Sequence, residues 1–513
     1  MPLTFPVRTR RQILKLAALS CLPVRAEGLD LPNPLLREAY QNAANRNVLA
    51  AVNPAVFPGY FSVCAGGHGF GYGNTYPSLD GHQLTDALLF LNQVDVAKAN
   101  WDYVKTFQHP DGTLPIAILP GKAGQDIGPK GYPGIVESNG GLYKHWVPGN
   151  PLAALAAPTF IQNADVIFRW TQDRQWLFAQ MPSIHRAAGQ LASLIDARGA
   201  VGGGGYYVER PSRLGCDGVA QSHAIDAFSR VAEFNRLLGD EDKAHNYETL
   251  SNRIRHHFTT HFWMGDHFAE YDHPEHGLID RHGLSDSDWA ALALGTATPQ
   301  QQSILWPKLR DEKRFYYGGM PTGIAAEPGN YQAWEFSYPD HMDVAAMGRV
   351  WYLEAQARAR MGDAAGLLDT LQRVAKAGKD YGYYWRERYG PQGGYGAQKY
   401  CEYPANLIRI VQRFLLGVEI TLDGTLVLSP LVTPKFAKRG FGQRLAWSDR
   451  VLDYRFHRGK LSGKYSGPPL TLSVKPFHAT RDLPFATFDR PFAFEIRTSE
   501  RVFWKPWTGS NTA

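Results

Sequence analysis

Apolar positions recur at intervals of three and four through most of the chain. Segments at about 34–52, 82–92, 95–108, 158–171, 174–196, 219–238, 241–261, 285–295, 299–309, 340–361, 364–377 and 402–416 follow this pattern, which predicts twelve helices. Polar punctuation separates them in pairs. Gln93-Val94-Asp95, Thr171-Gln172-Asp173, Leu238-Gly239-Asp240 and Met361-Gly362-Asp363 each put Asp where a helix N-cap belongs. Its carboxylate can accept from the free N–H groups of the first turn. Thr298-Pro299 supplies a fifth junction, with Thr as cap and Pro at the first helical position. The junctions fall at 95, 173, 240, 298 and 363, a recurrence of about 65 residues. Pairing 34–52 with 402–416 adds a sixth hairpin. The predicted fold is mainly α: an (α/α)6 toroid over 29–416, inner helices around an axis and outer helices shielding them. An open solenoid would have tight loops at both ends of each hairpin. Here the connections at 109–157, 197–218, 262–284, 310–339 and 378–401 are long, and long loops on one face build sites.

After Gly417 the period changes. Val418 to Leu428 alternates around Asp423-Gly424, a hairpin signal, and strand-like runs follow at 450–457, 469–475 and 491–497. Residues 417–513 are expected to form a small β-sandwich-like domain without catalytic residues.

Hydrophobic residues make up 44% of the 513 and charged residues 20%, which fits a globular chain and excludes disorder. The net charge of +6 is concentrated at the amino terminus. Arg8, Arg10, Arg11, Lys15 and Arg25 leave 49 cations against 48 anions in the rest, so no electrostatic footprint for nucleic acid remains. No apolar run of about 18 residues would span a membrane. Arg10-Arg11, the apolar stretch Leu16 to Leu22 and Val24-Arg25-Ala26 read as a twin-arginine signal peptide over 1–26. The expectation is a bacterial periplasmic or secreted protein, exported folded. The alternatives are a basic amphipathic first helix and lipid attachment at Cys21. Beyond this segment Cys64, Cys216 and Cys401 are too few and too odd for a disulfide framework. Cys-x-x-Cys and His-Glu-x-x-His patterns are absent from the sequence, so neither metal nor cofactor is expected; a monomer is.

The long connections are rich in Gly, aromatic residues and acids, as in Gly66 to Gly73, Gly202 to Gly205 and Tyr381 to Tyr389. None matches a P-loop or a dinucleotide fingerprint. Rings with carboxylates suit sugars, which offer a C–H face for stacking and hydroxyls for hydrogen bonds. Two carboxyls are needed to cleave a glycosidic bond, one to protonate the leaving oxygen and one to activate water. Asp217 ends a long loop and precedes a helix, so it is a candidate acid and equally an N-cap. Glu387 lies among Trp385, Arg386, Arg388 and Tyr389, a candidate base and equally a salt-bridge partner. Glu335 and Glu402 compete for the base. Asp80 is a candidate for sugar hydroxyls or an N-cap. Trp334, Trp385 and Tyr389 are stacking platforms or core residues.

The ordered blocks resemble the six-hairpin glycoside hydrolases, which include trehalases, processing α-glucosidases, glycogen-debranching glucosidases and rhamnosidases. The resemblance runs from about 75 to 434. Leu79-Asp80-Gly81-His82 stands where these enzymes carry a Trp-x-Asp block for the terminal sugar. Gln108-His109-Pro110-Asp111-Gly112-Thr113-Leu114-Pro115 is similar to their Gln-x-x-Asp-Gly-x-x-Pro stretch. Leu214 to Gly218 occupies the place of the acid loop. Trp385 to Tyr389, then Gly393 to Gly396, resembles the base block, and Leu415 to Val418, then Leu428 to Pro430, the exit into a β domain. Gly218 follows Asp217 where the glucosidase branch often pairs aspartates, and Tyr331-Gln332-Ala333-Trp334-Glu335 replaces a Gly-Pro-x-Trp block. The resemblance implies an inverting, α-linkage hydrolase acting on the terminal sugar of an oligosaccharide. Asp217 would be its acid and Glu387 its base, with Asp80, Trp334, Glu335, Trp385, Arg386 and Tyr389 around the sugar. A lyase or epimerase on a related toroid, using Tyr or His with Arg, and a non-catalytic glycan-binding protein are the alternatives.

Overall fold

A computed structural model describes residues 28–54, 59–67, 76–114, 117–118, 154–203, 215–313, 316–321, 331–335, 345–475, 486–488, 492–497 and 501–506. The segment read as a signal peptide, 1–26, lies outside the described residues.

Twelve helices appear where the periodicity places them. They are α1 (Pro34–Asn42), α2 (Ser78–Phe90), α3 (Val94–Lys105), α4 (Ala156–Thr171), α5 (Arg174–Ser193), α6 (Gly218–Leu237), α7 (Glu241–His261), α8 (Asp286–Ala293), α9 (Pro299–Asp311), α10 (Gly348–Arg360), α11 (Ala364–Asp380) and α12 (Glu402–Ile410). The even-numbered helices pack in sequence, α2 on α4, α4 on α6, α6 on α8, α8 on α10 and α10 on α12, and α12 returns to α2. That closes a ring of six. The odd-numbered helices lie on its outside, with α1 closing the seam against α11 and α12. The inner helices are buried almost all round, as α6 shows from Val219 to Asn235, whereas α7 buries only a stripe from Ala244 to Phe258.

Tight turns join the first five inner helices to the outer helices that follow them. Asp173, Asp240 and Asp363 cap α5, α7 and α11, accepting from the N–H groups of Trp176, Lys243 and Gly366, and Thr298 caps α9 in a full capping box. Asp95 is a correction. The left-handed pivot of this turn is Asn92, and in the sister turns the cap directly follows the pivot (Gln172 before Asp173, Gly239 before Asp240, Gly362 before Asp363). Gln93 therefore takes the cap position and Asp95 falls in the first turn.

Several helix boundaries differ from the pattern, three of them with a visible consequence. The run 34–52 is α-helical only to Asn42, then widens into a π-turn over Ala43–Val48. Buried Asn47 lies within it and donates to the carbonyls of Asn42 (3.0 Å) and Tyr383 (2.9 Å), tying this segment to the last inter-hairpin connection. Within the described part of the run 340–361, from Ala345 on, the helix begins at Gly348, because Ala346 is engaged in a β-bridge with Tyr389. α2 begins at Ser78 rather than 82, which puts Asp80 inside the first turn instead of at a cap.

The helical core contains buried ion pairs. Asp86 of α2 binds Arg409 of α12 at 2.9 Å and Arg413 just beyond it at 2.6 Å. Burial alone would raise the Asp86 carboxyl, but the two guanidiniums hold it well below the usual carboxylate range. Asp165 of α4 and Asp226 of α6 share Arg230.

The chain changes to strands at Val418. β1 (Val418–Ile420) and β2 (Leu426–Leu428) pair antiparallel around Asp423-Gly424. The other strands are β3 (Phe441–Trp447), β4 (Arg450–His457), β5 (Lys460–Ser466), β6 (Leu470–Val474), β7 (Ala486–Phe488), β8 (Phe492–Arg497) and β9 (Arg501–Pro506). They form two sheets, β1-β2-β6-β7 with β2 and β6 parallel, and an antiparallel β3-β4-β5-β8-β9. β4 alternates as a one-sided strand should, with Leu452, Tyr454 and Phe456 buried and Asp453, Arg455 and His457 exposed. Gln412 beyond α12 and Gln443 of β3 exchange two hydrogen bonds of 2.8 Å, and Asp30 pairs with Gly442 on the edge of the same sheet.

Candidate active site

Each long connection leads from an outer helix into the N-terminus of an inner one. The N-terminal ends of the inner helices therefore gather at one end of the ring, and their partial positive charges favour carboxylates there. The candidate carboxylates are distributed around this mouth.

Asp217 caps α6, accepting from the Ala220 N–H at 2.8 Å, and is fully buried. Its backbone belongs to a small sheet in which Asp217 pairs with Tyr271, and Glu270 accepts the Gly218 N–H at 2.9 Å. The following strand residues carry a buried polar network. Tyr271 donates its hydroxyl to Glu335, His282 Nε2 lies 3.2 Å from Glu335 Oε1, and His282 Nδ1 pairs with Glu270. Arg281 and the Gln332 N–H each approach Glu335 Oε2 at 2.6 Å. Burial would raise the Glu335 carboxyl, but the bonds from His282, Tyr271, Gln332 and Arg281 override it and hold it down at about 2. A carboxylate so supplied with donors is a poor proton acceptor; Glu335 acts as an anchor for Tyr271, His282 and Arg281. Burial lowers the His282 imidazole, but Glu270 and Glu335 together raise it above its ordinary value. At the neighbouring α8, Asp288 accepts from Phe268 N–H (2.7 Å) and Ser285 N–H (2.8 Å), and burial pushes its carboxyl up to about 7.

Trp334 is 38% exposed, against a largely buried aromatic population. His276 stacks 4.2 Å from its ring and the Arg281 guanidinium lies 5.5 Å away, so it is a surface ring held at a defined angle.

Glu387 lies on a hairpin, Arg386–Gly390 against Gly393–Gln398, with a bulge between Arg386 and Arg388. Its Oε2 accepts the Ala397 N–H at 2.9 Å and its Oε1 meets Arg388 Nη1 at 2.5 Å. It is buried, not a surface salt bridge. The Ala346–Tyr389 bridge ties this hairpin to the entry of α10, and the hairpin itself leads into α12. Glu402 is the first residue of α12, buried, with Oε1 bound by the Arg349 N–H (2.8 Å) and Nε (2.7 Å).

Two expected platforms are core residues. Trp385 is fully buried, donates its indole N–H to Val374 O at 3.1 Å and packs so closely on Gly378 that a Cβ there would lie 2.2 Å from the ring. No face is left for a sugar. Tyr389 is equally buried; its hydroxyl accepts the Arg386 N–H at 3.1 Å and its ring meets Tyr403 edge-on. Both hold the Glu387 hairpin in place. Arg386 is half-buried at its start. The side chain of Asp80 lies outside the described residues, as do Tyr206, Tyr207, Glu209 and Arg210, candidate pocket walls on the acid loop, and His145, His341 and the side chain of His82, histidines that the lyase or epimerase alternative would draw on.

The sequence reading missed Glu270, Tyr271, His282 and Arg349. The first three fall on or beside the 262–284 connection, and alternation around Tyr271 was the available signal. Among the described residues no group of three His, Cys, Asp or Glu side chains is arranged to hold a metal, and none of the described helices is long and apolar enough to cross a membrane. A cleft of about 620 Å3 opens at the opposite end of the ring, lined by Arg169, Glu233, Thr421, Asp423, Ser473 and Lys475 among others. It is remote from these carboxylates.

The sequence matches no family profile and no curated protein. Solved structures do resemble it. A GH78 rhamnosidase of Bacillus sp. GL1 matches with TM-score 0.62 and 10% identity over 86% of this chain and 41% of that one. An α-L-rhamnosidase from Dictyoglumus thermophilum matches at 0.60 and 11% over 91% and 50%. A GH63 mannosylglycerate hydrolase from Thermus thermophilus, in complex with glucose, matches at 0.51 and 12% over 74% and 100%. The chain spans half or less of the length of the two rhamnosidases. At such identities the likeness is one of architecture, and the architecture is the six-hairpin helical fold that the sequence blocks indicate.

Proposed function

We propose that the chain is a glycoside hydrolase that removes the terminal sugar of an oligosaccharide with inversion. Asp217 protonates the leaving oxygen and Glu387 activates the attacking water. One observation carries the reading. Asp217 caps inner helix α6, and Glu387 sits on the hairpin feeding α12, the helix three places round the ring. The two residues thereby belong to opposite sectors of the same end of the ring, where an acid and a base on either side of a bond would stand. Trp334 offers the platform, Arg386 a flanking donor and Asp80 an acceptor for the terminal sugar, whereas Glu335, Trp385 and Tyr389 hold the frame. The likeness to rhamnosidases and to a mannosylglycerate hydrolase is the reason to include α-L-rhamnosides and glycerate-linked glycosides among the substrates tried. Export by a twin-arginine signal and action as a monomer belong to the same proposal.

The experiment is a panel of α- and β-linked oligosaccharides, rhamnosides included, incubated with purified protein and with an Asp217→Asn, Glu387→Gln double variant. Release of a monosaccharide by the first and not the second supports the reading. An unsaturated product would favour a lyase, and binding without turnover would favour a glycan-binding protein.

A further inference from the structure

Two carboxylate oxygens among the described residues are buried without a hydrogen-bond donor, one on Glu354 and one on Glu402. Glu354 lies in the second turn of α10, bound to Arg358, whose guanidinium also reaches the Asp363 cap of α11. That oxygen belongs to the contact between inner and outer helices. Glu402 is placed differently, at the first residue of α12 and therefore at the mouth.

The carboxylate of Glu402 is lopsided. Oε1 receives the Arg349 N–H at 2.8 Å, Arg349 Nε at 2.7 Å and, more weakly, Gln83 Nε2 at 3.4 Å. Oε2 receives nothing. The frame holds the carboxylate from this side: Asn406 pins Gln83 and donates to Gly348 O at 2.9 Å, beside the two bonds from Arg349. A buried charged oxygen without a donor is costly, and a built frame that keeps it so holds an acceptor ready for a donor from elsewhere. α12 lies across the ring from α6 and its cap Asp217.

We infer that Glu402 Oε2 accepts a hydrogen bond from a hydroxyl of the sugar in the mouth, making Glu402 a sugar-binding residue distinct from the Asp217–Glu387 pair. The inference rests on the glycosidase reading for the identity of the ligand. It also sets a substrate class: the sugar carries a hydroxyl donor at that position, and a carboxylate there would meet a like charge.

The test reads binding without turnover, so its failure is separable from failure of hydrolysis. L-Rhamnose, D-glucose and their monodeoxy analogues are titrated into the full-length protein and into Glu402→Gln, followed by NMR. In the wild type, removal of one particular hydroxyl should weaken binding at least about tenfold; in the variant the same removal should cost less than about threefold. Equal losses in both proteins, or binding of neither sugar, overturn the inference. Should the variant fail to fold with Arg349 left unpaired, a wild-type crystal soaked with the tighter sugar decides. A sugar oxygen within about 3.2 Å of Oε2 supports the inference, and Oε2 bare or occupied by water overturns it. Sugar bound in this way with no hydrolysis of the panel would contradict the hydrolase reading and leave this subsite standing.

Discussion

Asp217 stands opposite Tyr271 in a short antiparallel ladder, and Tyr271 donates its hydroxyl to Glu335. The candidate acid is thus backed by a strand whose neighbouring side chain is locked into a buried network. On the proposed mechanism the Asp217 side chain has two separable duties, capping α6 and donating a proton. Asn caps a helix about as well as Asp, so Asp217→Asn should change stability by less than about 0.5 kcal/mol. It should nevertheless lower kcat on substrates with poor leaving groups by about a thousandfold, sparing activated aryl glycosides in part. Denaturant titration and steady-state kinetics on both substrate types check this; near-normal turnover of the poor substrates would return Asp217 to a purely capping role.

The two tryptophans separate core from platform. Trp385→Ala should cost about 3–5 kcal/mol of stability, as large buried aromatics do. Trp334→Ala should cost under about 1 kcal/mol and raise KM about tenfold with kcat little changed. Urea unfolding and kinetics read the contrast, and a stability loss for Trp334→Ala as large as for Trp385→Ala would remove the platform reading.

Stability should have an acid limb to which Glu335 contributes. Its folded value, about 2, lies below the ordinary 4.5. The stabilisation is therefore present above about pH 4.5 and lost as the pH falls toward 2, when the unfolded chain takes up the proton first. Glu335→Gln should flatten that part of the unfolding free energy measured against pH. An unchanged slope would mean that the network does not distinguish the two protonation states.

Breaking the axial ion pairs should be expensive in a way that depends on burial. Asp86→Asn leaves Arg409 and Arg413 without their carboxylate and should cost about 3–5 kcal/mol. Chemical denaturation measures it; a loss below about 1 kcal/mol would mean that water reaches the pair.

Most of the architecture was legible because its causes are local. Apolar spacing marks helices, and the Asp that follows three of the pivots, Asp173, Asp240 and Asp363, marks hairpin ends. Where the reading slipped, a distant partner decided the outcome. Ala346 is held in a bridge by Tyr389, so α10 starts late. Trp385 sits in an aromatic block beside Glu387, which suggests a sugar platform, yet Gly378 and Val374 on α11 absorb its ring and its N–H. Glu335 was a competitor for the base until Tyr271, His282, Arg281 and Gln332 were seen to saturate it. Carboxylates look alike in a sequence; the donors around each come from elements far along the chain.

The central claim is that Asp217 and Glu387 act as acid and base on opposite sides of one bond. The most direct test is proton NMR of the first anomer released from the best panel substrate by the wild type, run beside Glu387→Gln. The account predicts that the product appears first as the anomer opposite to the substrate linkage, and that Glu387→Gln releases none, even from an activated aryl glycoside. Product of retained configuration, or full activity in the Glu387→Gln protein, would contradict it.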